Sequence, residues 1–99
     1  MFNKDMIEKL QNLKQQADES KDRLESIEIT EDAGGGLVQV TLNGNRKLKG
    51  ISINTELSNI DKSDLEDLLV VAFDRAMERV NEINEKEVMS SAQSLFPGM

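Results

Sequence analysis

The chain contains no cysteine, histidine, tryptophan or tyrosine, and its 99 residues include one proline and three phenylalanines. Each absence removes a class of chemistry. Without cysteine there is no disulfide framework and no thiol nucleophile, which suits a reducing compartment. Without cysteine or histidine the usual zinc and transition-metal sites have no ligands, and a serine has no imidazole to activate it. No apolar run approaches the roughly 20 residues that a membrane span needs. Met1 to Leu10 mixes polar and apolar residues, unlike a signal peptide, so the expected placement is cytoplasmic. Gly34-Gly35-Gly36 lacks the Lys-Ser/Thr of a phosphate loop and leads into a strand, so it reads as a turn. The acidic pairs Asp18/Asp22 and Asp74/Glu78 stand one helical turn apart and read as solvated helix faces. The expectation is a non-enzyme with no catalytic residue, no metal, no cofactor, no small-molecule substrate and no membrane partner.

What the chain does have is centred on residues 27–54. Ile27 and Ile29, then Val38, Val40 and Leu42, then Ile51 and Ile53 alternate with polar residues. Period-two alternation gives strands with one apolar and one polar face. Gly34 to Gly36 provides one reversal, because glycine takes positive φ at little cost. Asn43-Gly44 provides the other, as a signal for a type I′ hairpin turn. Leu48 and Ile51 have opposite parity, which a bulge near Gly50 reconciles.

A helix is expected on each side. Over residues 3–24, Met6, Leu10, Leu13, Ala17 and Leu24 form a narrow heptad-like seam, with Asn3 as its cap. Asp5–Lys9 and Glu19–Arg23 are favourable pairs along it. Over residues 62–86, Leu65, Leu68, Leu69, Ala72, Phe73, Ala76, Val80 and Ile83 form a broader apolar face. Ser63 with Glu66 reads as its capping box. Leu57 and Ile60, in the loop before it, are expected to tuck under the core. Beyond Val88 the pattern fades, and residues 88–99 are expected to be a mobile tail.

The fold class is therefore α+β, one domain over residues 1–99 in the order helix, three antiparallel strands, helix. A first helix of about 21 residues spans roughly 32 Å, against roughly 20 Å for a six-residue strand. Both helices must outrun the sheet. Open sheet edges and uncovered helical seams call for a two-fold homodimer with the helices projecting as arms. Core or dimer positions are expected at Leu10, Leu13, Val38, Val40, Leu42, Leu69, Ala72, Phe73 and Ala76.

The run Gly36-Leu37-Val38-Gln39-Val40-Thr41, followed by Asn43-Gly44 and then Ile51-Ser52-Ile53, resembles the central motif of the YbaB/EbfC nucleoid-associated proteins. The resemblance extends to the Met1-Phe2 start, to Leu65-Glu66-Asp67-Leu68 leading to Ala72-Phe73, and to the Phe96-Pro97-Gly98-Met99 end. It implies a tweezer-like homodimer of the bacterial nucleoid whose arms grip duplex DNA, with effects on nucleoid organisation and gene expression.

Candidate phosphate contacts are then Lys14 and Lys21 on the first helix, Arg46, Lys47 and Lys49 around the third strand, and Arg75, Arg79 and Lys86 on the second helix. Arg46, Lys47 and Lys49 also have a simpler reading, as charges that protect a sheet edge. With three phenylalanines as the whole aromatic complement there is no platform for single-stranded bases, so weak, salt-sensitive duplex binding is expected. Net charge opposes this. Twelve basic and nineteen acidic residues give −7, so a dimer carries about −14. A competing reading is a protein-interaction adaptor in DNA metabolism, using the seams, the acidic second helix or the Leu95-Phe96 tail to hold a protein partner.

Overall fold

The computed structural model describes residues 3–95. Its elements are α1 (Lys4–Glu25), β1 (Glu28–Ala33), β2 (Val38–Asn43), β3 (Leu48–Ile53), a short 3-10 turn (Leu57–Asn59) and α2 (Lys62–Leu95). Helix, three antiparallel strands and helix follow in the expected order, with β2 central and β1 and β3 as edges.

The register sets the faces. Val38 stands opposite Ala33 and Ile53, Val40 opposite Glu31 and Ile51, and Leu42 opposite Ile29 and Leu48. These residues share one face. The opposite face is polar, and there the hydroxyls of Thr30 and Thr41 hydrogen-bond at 2.7 Å. A bulge falls where the alternation broke: Thr41 faces Gly50 but Leu42 faces Leu48, so Lys49 is left without a cross-strand partner.

The first half of α2 lies across the apolar face of β1 and β2. The core consists of Ile29, Ala33, Val38, Val40, Leu42, Ala72, Ala76 and Val80, with Leu65, Leu68, Leu69 and Ile83 packed around it. Small residues at 72 and 76 let the helix approach the sheet closely. No residue of β3 is buried. Ile51 is 51% exposed, and Phe73 beside it on α2 is 37% exposed. Together with Val40, Leu69 and Val70 they line a shallow apolar depression.

The second half of α2 leaves the sheet and runs beside α1. Arg23 and Ser20 reach Glu87, while Gln16 and Ser91 line one depression, so the two helices are antiparallel. α2 has eight residues beyond Glu87, whereas α1 has nineteen before Arg23. The start of α1 therefore overhangs the described end of α2 by roughly 16 Å. The result is a head and an arm, 66 Å long and 22 × 21 Å across.

The structure corrects several expectations. α2 continues to Leu95, so residues 88–95 are helical where a tail was expected, and residues 96–99 lie outside the described ones. Between Leu69 and Pro97 the sequence has neither glycine nor proline to stop the helix, and Glu87 and Ser91 pack on a polar face of α1 that apolar periodicity does not register. Asn43-Gly44 does not form a type I′ turn. The positive φ of this hairpin belongs to Arg46, at 66°, and Arg46 N–H donates to Asn43 C=O at 3.0 Å. α2 begins at Lys62, so Ser63 lies within its first turn and is not its cap. Leu57 is 67% exposed and follows β3, none of whose residues is buried. Arg23 turns to Glu87 and not to Glu19, which accepts from Gln15. Two local readings match the structure: Asn3 Oδ1 accepts from Met6 N–H at 2.8 Å, and Gly34, Gly35 and Gly36 all have positive φ.

Candidate nucleic-acid interface

The β2–β3 hairpin tip lies where arm and head meet, and it is bonded to both helices. Gly44 N–H donates to the carbonyls of Leu24 and Ile27, at 2.9 and 3.0 Å. A Cβ at position 44 would stand 2.5 Å from the Leu24 oxygen, so glycine is needed there for close approach and not for its φ. The Asn45 amide donates to Lys21 C=O at 3.0 Å and to the Glu25 carboxylate at 2.7 Å. Gly44 C=O accepts from Asn84 at 2.9 Å, and the Arg46 guanidinium donates to Asn81 at 2.7 Å. Inside the loop, Asn43 is fully buried, and its Oδ1 accepts from the N–H groups of Asn45 and Lys47.

This tip belongs to a segment of unusual charge. Residues 33–55 contain no acid and three bases, Arg46, Lys47 and Lys49, in a chain that carries nineteen acids. The bonds just described bring Lys21 and Glu25 of α1 against it. The Glu25 carboxyl is held below the usual carboxylate range, first by the Asn45 hydrogen bond, with further lowering from Lys47, Lys49 and Lys21.

The bases of α2 are placed differently. Arg75 donates to the main-chain carbonyl of Asp32 at 2.8 Å, satisfying an acceptor on the open edge of β1. Arg79 pairs at 3.5 Å with Glu31, an acid on the otherwise apolar face of the sheet. Both therefore serve the packing of α2 on β1. Lys86 is exposed and lies in the arm half of α2. On α1, Lys14 and Lys21 are exposed.

The arm is closed by polar groups. The Glu87 carboxylate accepts from Arg23 Nε at 3.0 Å and from Ser20 Oγ at 2.9 Å. Its carboxyl is lowered by Arg23 first and Ser20 second. Sequence reasoning missed Asn45, Asn84 and Glu87, since isolated polar residues leave no periodic signal.

Of the positions expected in a core or dimer contact, Val38, Val40, Leu42, Ala72 and Ala76 are buried and Leu69 is half-buried. Phe73, Leu10 and Leu13 remain exposed on the single chain. None of the described helices is long and apolar enough to cross a membrane.

Comparison with known proteins agrees with this architecture. A Flavobacterium johnsoniae protein named "Nucleoid-associated protein" is 36% identical over 94 residues, covering 95% of this chain and 88% of the relative. The fold is shared with the crystal structure of an uncharacterised Helicobacter pylori protein, at a TM-score of 0.69 and 24% identity, over 81% of this chain and 94% of that one. The profile of the YbaB/EbfC DNA-binding family matches residues 1–95. With head, arm and strand register in place and the match covering nearly the whole length, the chain belongs to the YbaB/EbfC DNA-binding family.

Proposed function

We propose that the chain binds duplex DNA as a two-fold homodimer with little sequence preference, and that it acts on nucleoid organisation and gene expression without catalysing a reaction. Family membership over residues 1–95 is the observation that carries the DNA reading. The dimer reading rests on the apolar strip formed by Ile51, Ile53, Val70 and Phe73, which α2 leaves open at the β3 edge. A second copy related by a two-fold axis covers that strip with the same strip and covers the open strand edge as well. Two arms then project from one joined head and straddle a duplex. The contacts are lysines to phosphates, which hold a protein on DNA but convey little sequence information.

Titration of a random-sequence duplex at low salt, repeated as salt rises, tests the DNA reading. Binding that weakens steeply with salt is expected, because a dimer of about −14 holds DNA only through local patches. Absence of any complex at micromolar dimer overturns it. Sedimentation of Ile51→Asp tests the dimer: the variant is expected to be monomeric where the parent is dimeric. A parent that sediments as a stable monomer at dilute concentration removes the straddling arms.

The exposed Met6, Ile7, Leu10 and Leu13 on α1, together with the net acidity, favour one competing reading, a protein-interaction adaptor. A partner that stays bound after nuclease treatment, from a chain that fails the duplex titration, favours the adaptor.

A further inference from the structure

We propose that the DNA backbone is held at the junction of arm and head by Lys21, Lys47 and Lys49, and that Glu25 among them weakens the contact. This rests on the duplex-DNA reading above and names the surface that performs it.

The first argument is the availability of charge. Among the described residues, Arg23, Arg75 and Arg79 already hold Glu87, the Asp32 carbonyl and Glu31, and Arg46 holds Asn81. Moving Arg75 or Arg79 to a phosphate strips a partner from the β1 edge or from Glu31 on the core face. Their use on DNA competes with the packing of α2. Lys21, Lys47 and Lys49 are exposed and have no such duty in the described hydrogen bonds and ion pairs.

The second argument is position. Along both helices, lysines alternate with acids one turn away, as Lys14 does with Asp18 and Lys86 with Glu82. Lys47 and Lys49 lie in the longest segment without acids, residues 33–55. The Asn45 bonds to Lys21 C=O and Glu25, with those of Gly44 to Leu24 and Ile27, fix that segment against the last turn of α1. Lys21 is thereby added to the pair, and the bulge releases Lys49 from cross-strand pairing. Lys21, Lys47 and Lys49 all act on the Glu25 carboxyl, and the hairpin that carries Lys47 is bonded to both helices. Glu25 enters the same cluster as an opposing charge, held there by Asn45 at 2.7 Å. It lowers the attraction for DNA without being needed for the local fold, because glutamine accepts the same hydrogen bond.

The test is fluorescence anisotropy of a short duplex across a salt series, with the full chain and three variants. The wild type gives a reference slope of log affinity against log salt, at about 0.9 per phosphate contacted. The triple variant K21Q/K47Q/K49Q is expected to lose about two to three from that slope per chain, and at least about tenfold in affinity at low salt. Glu25→Gln is expected to bind about threefold more tightly with a similar slope. R75Q/R79Q, checked by thermal melt for intact folding, is expected to keep the wild-type slope. A wild type that binds beside a triple variant of unchanged slope overturns the location and leaves the DNA reading standing. Loss of slope in R75Q/R79Q moves the site to α2 and likewise overturns the location. Weaker binding by Glu25→Gln overturns the role given to Glu25. A wild type that binds no duplex at all overturns both.

Discussion

Leu42 and Leu10 are the same residue in two regions of one chain, and their surroundings differ completely. Leu42 is 0% exposed, enclosed by strands on both sides and by α2 above. Leu10 is 49% exposed, on a helix whose start extends past the described end of its neighbour. The head is held by apolar burial, the arm by a carboxylate shared between Arg23 and Ser20. Burial is worth about 25 cal/mol per Å² and is not screened by salt, whereas an exposed ion pair contributes about 0–1 kcal/mol and is screened. The arm is therefore the half expected to open first, ahead of the head. The proposed dimer, which admits a duplex between two arms, has use for that division.

The contrast is broken most directly by leucine deletion. Leu42→Ala is expected to cost about 3 kcal/mol in urea denaturation, from lost burial and the cavity left behind. Leu10→Ala is expected to cost under about 0.5 kcal/mol while the chain is monomeric. Equal costs would show that the arm is packed as tightly as the head. Gly44→Ala comes next, at about 2 kcal/mol. Its Cβ meets the main chain of Leu24 at 2.5 and 2.9 Å, so the backbone itself must shift. Hydrogen exchange should then show lost protection in α1 as well as in the hairpin. A variant as protected as its parent would mean that the junction tolerates movement and does not orient the arm.

The head was legible because burial writes a pattern into the residue types. Alternation at 38, 40 and 42 placed β2, and the broken parity between Leu48 and Ile51 placed the bulge beside Gly50. The arm was not legible beyond residue 86, because Glu87 and Ser91 are ordinary surface residues until Arg23, Ser20 and Gln16 arrive opposite them. The turn was misread for a related reason. Gly44 carried the hairpin signal, but it is glycine because α1 ends against it, a tertiary fact. Candidate phosphate contacts were named from the family resemblance and from the placement of basic residues. Which of them are occupied depends on partners more than 40 residues away: Asp32 for Arg75 and Glu31 for Arg79.

Glu87→Gln isolates the bond that closes the arm. Glutamine keeps an acceptor for Ser20 but loses the ionic component with Arg23, and the expected cost is about 0.5 kcal/mol. That is small in a global melt, and exchange rates along α1 read it more clearly than a melting temperature does. Faster exchange should appear in α1 with none in β1 or β2. Faster exchange throughout would show head and arm opening as one unit.

Acid gives the finest version of the same test. Because Arg23 and then Ser20 hold the Glu87 carboxyl below its ordinary value of 4.5, the charged form is favoured when the arm is closed. Its contribution is complete above pH 4.5 and is lost as pH falls through the lowered folded value. Exchange protection along α1, corrected for the intrinsic rate at each pH, should therefore decline below pH 4.5 before that of the head. Glu25 is also lowered, with Asn45 as the first cause, but its protonated carboxyl keeps a C=O acceptor for Asn45, so any decline at the hairpin side should be smaller. The two are separated by Glu87→Gln, which should remove the decline across the Glu87 contact and leave any decline at the hairpin. If the variant keeps the whole pH dependence along α1, the arm is held at its hairpin end and the Arg23–Glu87 contact is incidental.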